Sequence, residues 1–198
     1  MTWATALHGN GRREEKRQEI SDIIFNVTTG RIFTMVLALG VSAEAPFADA
    51  QGPVVETHTV SDVATVIDAD SIIIKGTNIR LQGIDAPEIK QVCRKGRDVN
   101  WDCGKLADAA LRDKLGNKVV TCSWTEQDRY GRALGTCYLG SENINAWIVA
   151  EGWALAYRQY STAYVVVEEN AQTARKGIWR GDFVAPWEWR RGKRMPRR

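Results

Sequence analysis

Apolar and polar residues alternate over residues 58–84. The stretches "HTVSDVATVI" (58–67), "SIIIKG" (71–76) and "NIRLQGI" (78–84) are rich in Val, Ile and Thr and are broken by "DAD" and "GTN", which predicts strands of a small curled sheet. In "CGKLADAALRDKLG" (103–116) the period becomes helical. It places Cys103, Leu106, Ala107, Ala110 and Leu111 on one face, with Gly116 and Asn117 as a stop. "KVVTCSW" and "RALGTCYL" predict two further strands joined by the polar "TEQDRYG". "ENINAWIVAEG" (142–152) and "TAYVVVEENAQTARKG" (162–177) predict helices, each ended by a glycine at the C′ position. Five strands with helices inserted and appended predict an α+β fold built on a small Greek-key barrel.

The pattern changes before residue 51. Residues 32–43, "IFTMVLALGVSA", form an uncharged apolar run that follows Arg31, and small residues ending in "ADA" (48–50) precede Gln51. This is the form of a secretory apolar region with an Ala-x-Ala cleavage site, and the run is short of the roughly 20 apolar residues that span a bilayer. The polar segment 1–31 is longer than such signals usually carry. Removal of residues 1–50 and retention of segment 32–43 as a membrane anchor are therefore both expectations, the first giving a periplasmic or secreted protein.

All four cysteines, Cys93, Cys103, Cys122 and Cys137, follow residue 50, and none forms a C-x-x-C pair of the zinc type. Two disulfides in an oxidising compartment are expected. Of the three pairings that four cysteines allow, we expect Cys93 with Cys103 and Cys122 with Cys137. The length of 198 residues and 44% apolar content suit one domain over residues 51–189. The net charge of +3 is unevenly placed, because six of 27 basic residues lie in the last nine positions. Residues 190–198 read as a solvated basic tail.

Candidate chemistry follows by elimination. After residue 50 the one histidine is His58, on a predicted strand, which disfavours mechanisms built on paired histidines or a Ser-His-Asp set. Carboxylates and arginines remain. Asp68 and Asp70 share a side if their strand continues through them, and Asp85 and Glu88 follow the next strand. Oxygen donors of this kind suit a hard cation such as Ca²⁺. Pro87 restricts Ala86 and its own φ, so the directions of Asp85 and Glu88 are set in advance. Arg80 alternates with the apolar Ile79 and Leu81, and Arg132 ends "DRYGR"; two arginines facing carboxylates and a cation suit a phosphoryl transition state.

"DADS" (68–71), "IRLQGIDAPE" (79–88), "DRYGR" (128–132), "GWALAY" and "GIW" resemble, in order and spacing, the thermonuclease family typified by staphylococcal nuclease, over residues 58–189. The resemblance implies a five-stranded OB-fold barrel with about three helices and a Ca²⁺-dependent nuclease acting on DNA and RNA to leave 3′-phosphate ends. It implies Asp70, Asp85 and the backbone carbonyl of Ala86 as metal ligands, with Asp68 behind them. Glu88 would be the general base, and Arg80 and Arg132 would hold the scissile phosphate. Arg129 and Tyr130 match positions that contact a nucleotide phosphate, and Tyr157 or Tyr160 matches the tyrosines of that pocket. Ala69 stands where the family has glycine; if that position needs a positive φ, its methyl group costs roughly 1 kcal/mol or more. Nucleic acid is the expected partner, as substrate of a monomer with no stable protein partner and with membrane contact only during export or through an uncleaved segment. Two other readings are a non-catalytic OB-fold binding module and a nuclease-like protein of exopolysaccharide (succinoglycan) biosynthesis.

Overall fold

A computed structural model describes residues 55–96 and 99–196; the predicted export segment lies outside them. The strands are β1 (His58–Val63), β2 (Thr65–Asp68), β3 (Ser71–Ile74), β4 (Thr77–Leu81), β5 (Ile84–Asp85), β6 (Cys93–Lys95), β7 (Val99–Trp101), β8 (Val119–Trp124), β9 (Ala133–Leu139), β10 (Glu142–Asn143) and β11 (Leu155–Ala156). The helices are α1 (Cys103–Leu115), α2 (Ile144–Ala150), α3 (Val165–Thr173) and α4 (Pro186–Arg190), with a 3-10 turn at Gly177–Arg180 before α4. The main sheet runs β1-β8-β9-β4-β3-β2, and β10 pairs with β9. All its pairings are antiparallel except β4 with β9. This curled mixed sheet with helices is the OB-fold-like α+β architecture the pattern predicts.

The alternation in β4 explains its orientation. Ile79 and Leu81 enter the core beside Ile72, Ile74 and Val120, while Arg80 faces the other way. Helix α1 packs through Cys103, Gly104, Ala107, Asp108, Leu111 and Leu115. Leu106 is 46% exposed and Ala110 is only half-buried, so the inward face is rotated from the one expected and takes in small Gly104. That choice is steric. A Cβ on Gly104 would stand 1.8 Å from the backbone oxygen of Glu88, so a glycine is what lets α1 reach the Glu88 loop.

Helix α2 ends as expected, with Gly152 at φ 72°. Helix α3 does not. Its C-cap is Ala174, so the left-handed residue after the cap is Arg175, with φ 51°, and Gly177 lies two residues further on, also left-handed at φ 48°. Gly177 is needed for close approach as well as for its φ: a Cβ there would lie 2.1 Å from the Gly152 oxygen, which accepts a bond from the Ile178 N–H.

Both disulfides form as expected. Cys122–Cys137 joins β8 to β9, and Cys93–Cys103 joins β6 to the start of α1. The second of these is the centre of a separate cluster with Leu155 and Ile178, edged by Trp101, Trp153, Trp179, Phe183 and Trp187. His58 stacks on Trp124 at the start of β1 and does not line the cleft described below.

Buried Asn145 ties the barrel to α2. Its Oδ1 accepts from the Cys137 N–H at 3.1 Å, and its Nδ2 donates to the Gln82 and Gly135 oxygens at 3.0 Å each. Asn145→Ala leaves these buried backbone groups without that partner and is expected to cost roughly 2–4 kcal/mol. Urea unfolding should show a lower midpoint with an unchanged slope.

Candidate active site

Most of the residues singled out from sequence converge on one cleft of about 780 Å³, whose walls include Asp70, Arg80, Glu88, Arg129, Tyr130 and Arg132; Asp85 does not line it and is buried behind Arg80. Asp68 and Asp70 reach it by a turn. Strand β2 stops at Asp68, so the two do not share a strand face; instead the Asp70 N–H donates to Asp68 Oδ1 at 3.2 Å. Burial and the neighbouring Asp70 charge push Asp68 up to about 6. Ala69 between them is 1% exposed and is not a positive-φ residue, so its methyl group packs into the core without backbone strain.

Asp70, 4% exposed, is fully engaged. Its Oδ1 accepts from Ser71 Oγ at 3.0 Å and Arg80 Nη1 at 2.7 Å, and its Oδ2 accepts from the Ala86 N–H at 3.0 Å. Asp85 is 0% exposed, and β5 is held there by β11 through the Leu155–Asp85 pairing. Arg80 Nη2 reaches Asp85 Oδ1 at 2.7 Å, so one guanidinium fork spans the two carboxylates. Burial drives the Asp85 carboxyl upward; bonds from Arg190 and the charges of Arg190 and Arg80 oppose this without cancelling it.

Glu88 is set by its backbone. Its N–H donates to Gln91 Oε1 at 3.3 Å, its oxygen accepts the Gln91 N–H at 2.7 Å, and buried Gln91 donates from Nε2 to the Val184 oxygen at 2.6 Å. Arg132 is aimed by an Asp-capped turn. Asp128 Oδ1 accepts the N–H groups of Tyr130 and Arg132 at 2.9 and 3.0 Å, and Asp128 Oδ2 accepts from Arg132 Nε at 2.8 Å. Burial opposes ionisation of Asp128, but those N–H groups and the Arg132 guanidinium hold its carboxyl below the usual range. Arg129 lies 4.8 Å over the Tyr130 ring, and Tyr130 is 70% exposed. Tyr157 and Tyr160 both line the cleft. Tyr157 stacks on Trp187 with centroids 5.3 Å apart, and Tyr160 meets Tyr157 edge-on.

Arg190, counted above with the basic tail, ends helix α4 and enters this cleft. Its Nη1 lies 2.9 Å from Asp85 Oδ1 and 2.7 Å from Glu88 Oε1, and its Nη2 lies 2.7 Å from Asp85 Oδ2. Burial lowers its basicity, yet the bonds to Asp85 and Glu88 raise it overall. Sequence reasoning missed Arg190, Gln91 and Asp128. The signals were an Asp opening a tight turn three residues before a glycine, and "APWEWR", a proline at a helix start followed by aromatics.

The donors suit a hard divalent cation in kind, since Asp70 and Asp85 offer buried carboxylate oxygens that one guanidinium already draws together. Among the described residues no three His, Cys, Asp or Glu side chains converge on a common point. The positive charge at these carboxylates is that of Arg80, which spans both, and of Arg190, which pairs with Asp85.

Residues 78–181 match the family model described as "Staphylococcal nuclease homologue". The chain is 36% identical over 139 residues to a protein of Escherichia coli O157:H7 named "Uncharacterized endonuclease", covering 66% of this chain and 84% of that one. It is 35% identical over 120 residues to "Succinoglycan biosynthesis protein ExoI" of Rhizobium meliloti, covering 59% of this chain and 63% of that one. A probable staphylococcal-like nuclease of Oryza sativa subsp. japonica is 33% identical over 128 residues, covering 63% of this chain and 36% of that protein. Of the cleft residues, those from Arg80 to Tyr160 lie within the matched stretch and Asp68 to Asp70 and Arg190 outside it, and the chain belongs to the staphylococcal nuclease homologue family.

Proposed function

We propose that this protein is an exported, Ca²⁺-dependent endonuclease that hydrolyses phosphodiester bonds of DNA and RNA to 3′-phosphate and 5′-hydroxyl ends. The observation that carries the reading is the convergence of Asp70, Arg80, Glu88 and Arg132 on one cleft, with buried Asp85 directly behind it on Arg80. Asp70, Asp85 and the Ala86 carbonyl would hold the cation, which would supply Lewis-acid polarisation of a phosphate oxygen.

The chain's own residues do the rest. Glu88 takes a proton from the attacking water at a carboxylate oxygen as the water oxygen bonds to phosphorus. The bond from phosphorus to the 5′ oxygen breaks, that oxygen takes a proton from solvent to leave as the 5′-hydroxyl, and Glu88 returns its proton to solvent. Arg80 and Arg132 donate to the non-bridging oxygens, where charge builds in the transition state. Arg129 and Tyr130 receive a neighbouring phosphate, while Tyr157 and Tyr160 face the nucleotide. Export is supported by the apolar run at 32–43 and by two disulfides, which persist in oxidising compartments. The likeness to a protein named for succinoglycan biosynthesis supports a second reading of the setting alone, in which the same hydrolysis serves cells that make exopolysaccharide.

Nuclease assays on plasmid DNA and on RNA should show cleavage with Ca²⁺ and none with a chelator; undiminished cleavage in chelator would rule out the mechanism. Arg132→Ala should slow turnover about 10²- to 10³-fold, and Glu88→Gln about 10²- to 10⁴-fold. Asp128→Ala leaves Arg132 in place but unaimed, and a loss of at least about 10-fold in kcat is expected with little change in thermal midpoint.

A further inference from the structure

Arg190 is presented to the cleft by a frame that does not depend on its own ion pairs. Gln91 binds the Val184 oxygen, the Asp182 N–H and oxygen pair with the Arg94 backbone, and Pro186 is buried at the start of α4. Trp187, one turn before Arg190, lies parallel to the Tyr157 ring. From this frame a single guanidinium bonds both Asp85 oxygens and Glu88 Oε1. Asp85 Oδ1 is shared with Arg80, whereas Oδ2 is bonded by Arg190.

We propose that Arg190 is a positioning residue of the active site, which ties Glu88 to Asp85 and competes with the divalent cation for Asp85. The inference rests on the cation reading of Asp70 and Asp85 given above. A cation needs an Asp85 lone pair turned toward it, and like charges at contact distance repel strongly where water is excluded. Cation binding therefore releases at least one Asp85 oxygen from Arg190. Arg190 also holds the carboxylate oxygen of Glu88, so the same side chain that opposes the cation steadies the base. The two effects of removing it have opposite signs: binding of the cation tightens and turnover slows. A residue that merely supported the fold would weaken both.

The test uses the full chain. Ca²⁺ binding without nucleic acid is measured by calorimetry for the natural protein, Arg190→Ala and Arg190→Lys, beside kcat on DNA and thermal unfolding in chelator. Arg190→Ala should lower the Ca²⁺ Kd on the order of 10-fold, the factor expected when the competent form is populated about one-tenth of the time. Its kcat should fall about 10- to 10²-fold through misplacement of Glu88. Arg190→Lys keeps the charge but not the fork, so it should tighten Ca²⁺ less and still lose turnover; it also carries the test should the alanine variant fail to fold. A Kd unchanged or weakened in a folded variant overturns the competition, and an unchanged kcat overturns the positioning of Glu88. Absence of Ca²⁺ binding in all three proteins overturns the cation reading, and this inference with it.

Discussion

Asp85 is a carboxylate with no solvent exposure, and much of the molecule is arranged around that fact. Burying an isolated charge is prohibitive unless it is paired and hydrogen-bonded. Here the partners come from far apart in sequence: Arg80 from β4 and Arg190 from α4. A second buried carboxylate, Asp70, shares Arg80 and also takes the Ala86 N–H. Removing one member leaves a carboxylate in a low-dielectric interior with fewer partners, at a cost in stability. The short β5–β11 pairing and the turn at Asp68–Asp70 hold it in register.

What the sequence made legible follows the reach of its signals. Alternation across Ile79, Arg80 and Leu81 puts the guanidinium outside the core, and it is there. The longer strands, both disulfide pairings and the gathering of "DADS", "IDAPE" and "DRYGR" into one cleft were equally readable, whereas the two- and three-residue strands β6, β7, β10 and β11 are too short to carry a period and were not. Asp70 was harder, because a turn replaces the strand geometry on which a two-residue period depends. Leu106 misled because hydrophobicity says nothing of how near a helix must come to a neighbouring backbone, and Gly104 decided that. Ala69 looked like a backbone problem, yet its φ is ordinary and its methyl group finds space in the core.

Arg190 was misread for a different reason. A run of like charges is usually solvated, and composition cannot distinguish one arginine from its neighbours. The distinction is made by contacts distant in sequence: the Trp187 ring against Tyr157, and the Gln91 amide on Val184. The tryptophan cluster around Cys93–Cys103 thus belongs to the same frame as the cleft. It links the loop that carries Glu88 to the segment that ends in Arg190.

The Gln91–Val184 bond has a consequence for the order in which the molecule is assembled. Chains are made from the N-terminus, and domains begin to fold as they emerge. Strands β1 to β9, with Asp70, Arg80 and Asp85, all precede residue 140, whereas α4 follows them at Pro186–Arg190. Throughout synthesis of the barrel, Asp85 has only Arg80 for a partner and Glu88 has no guanidinium at all. The carboxylates gain their second arginine only once Pro186–Arg190 has been made, so this cleft is completed by a segment that emerges after the whole barrel.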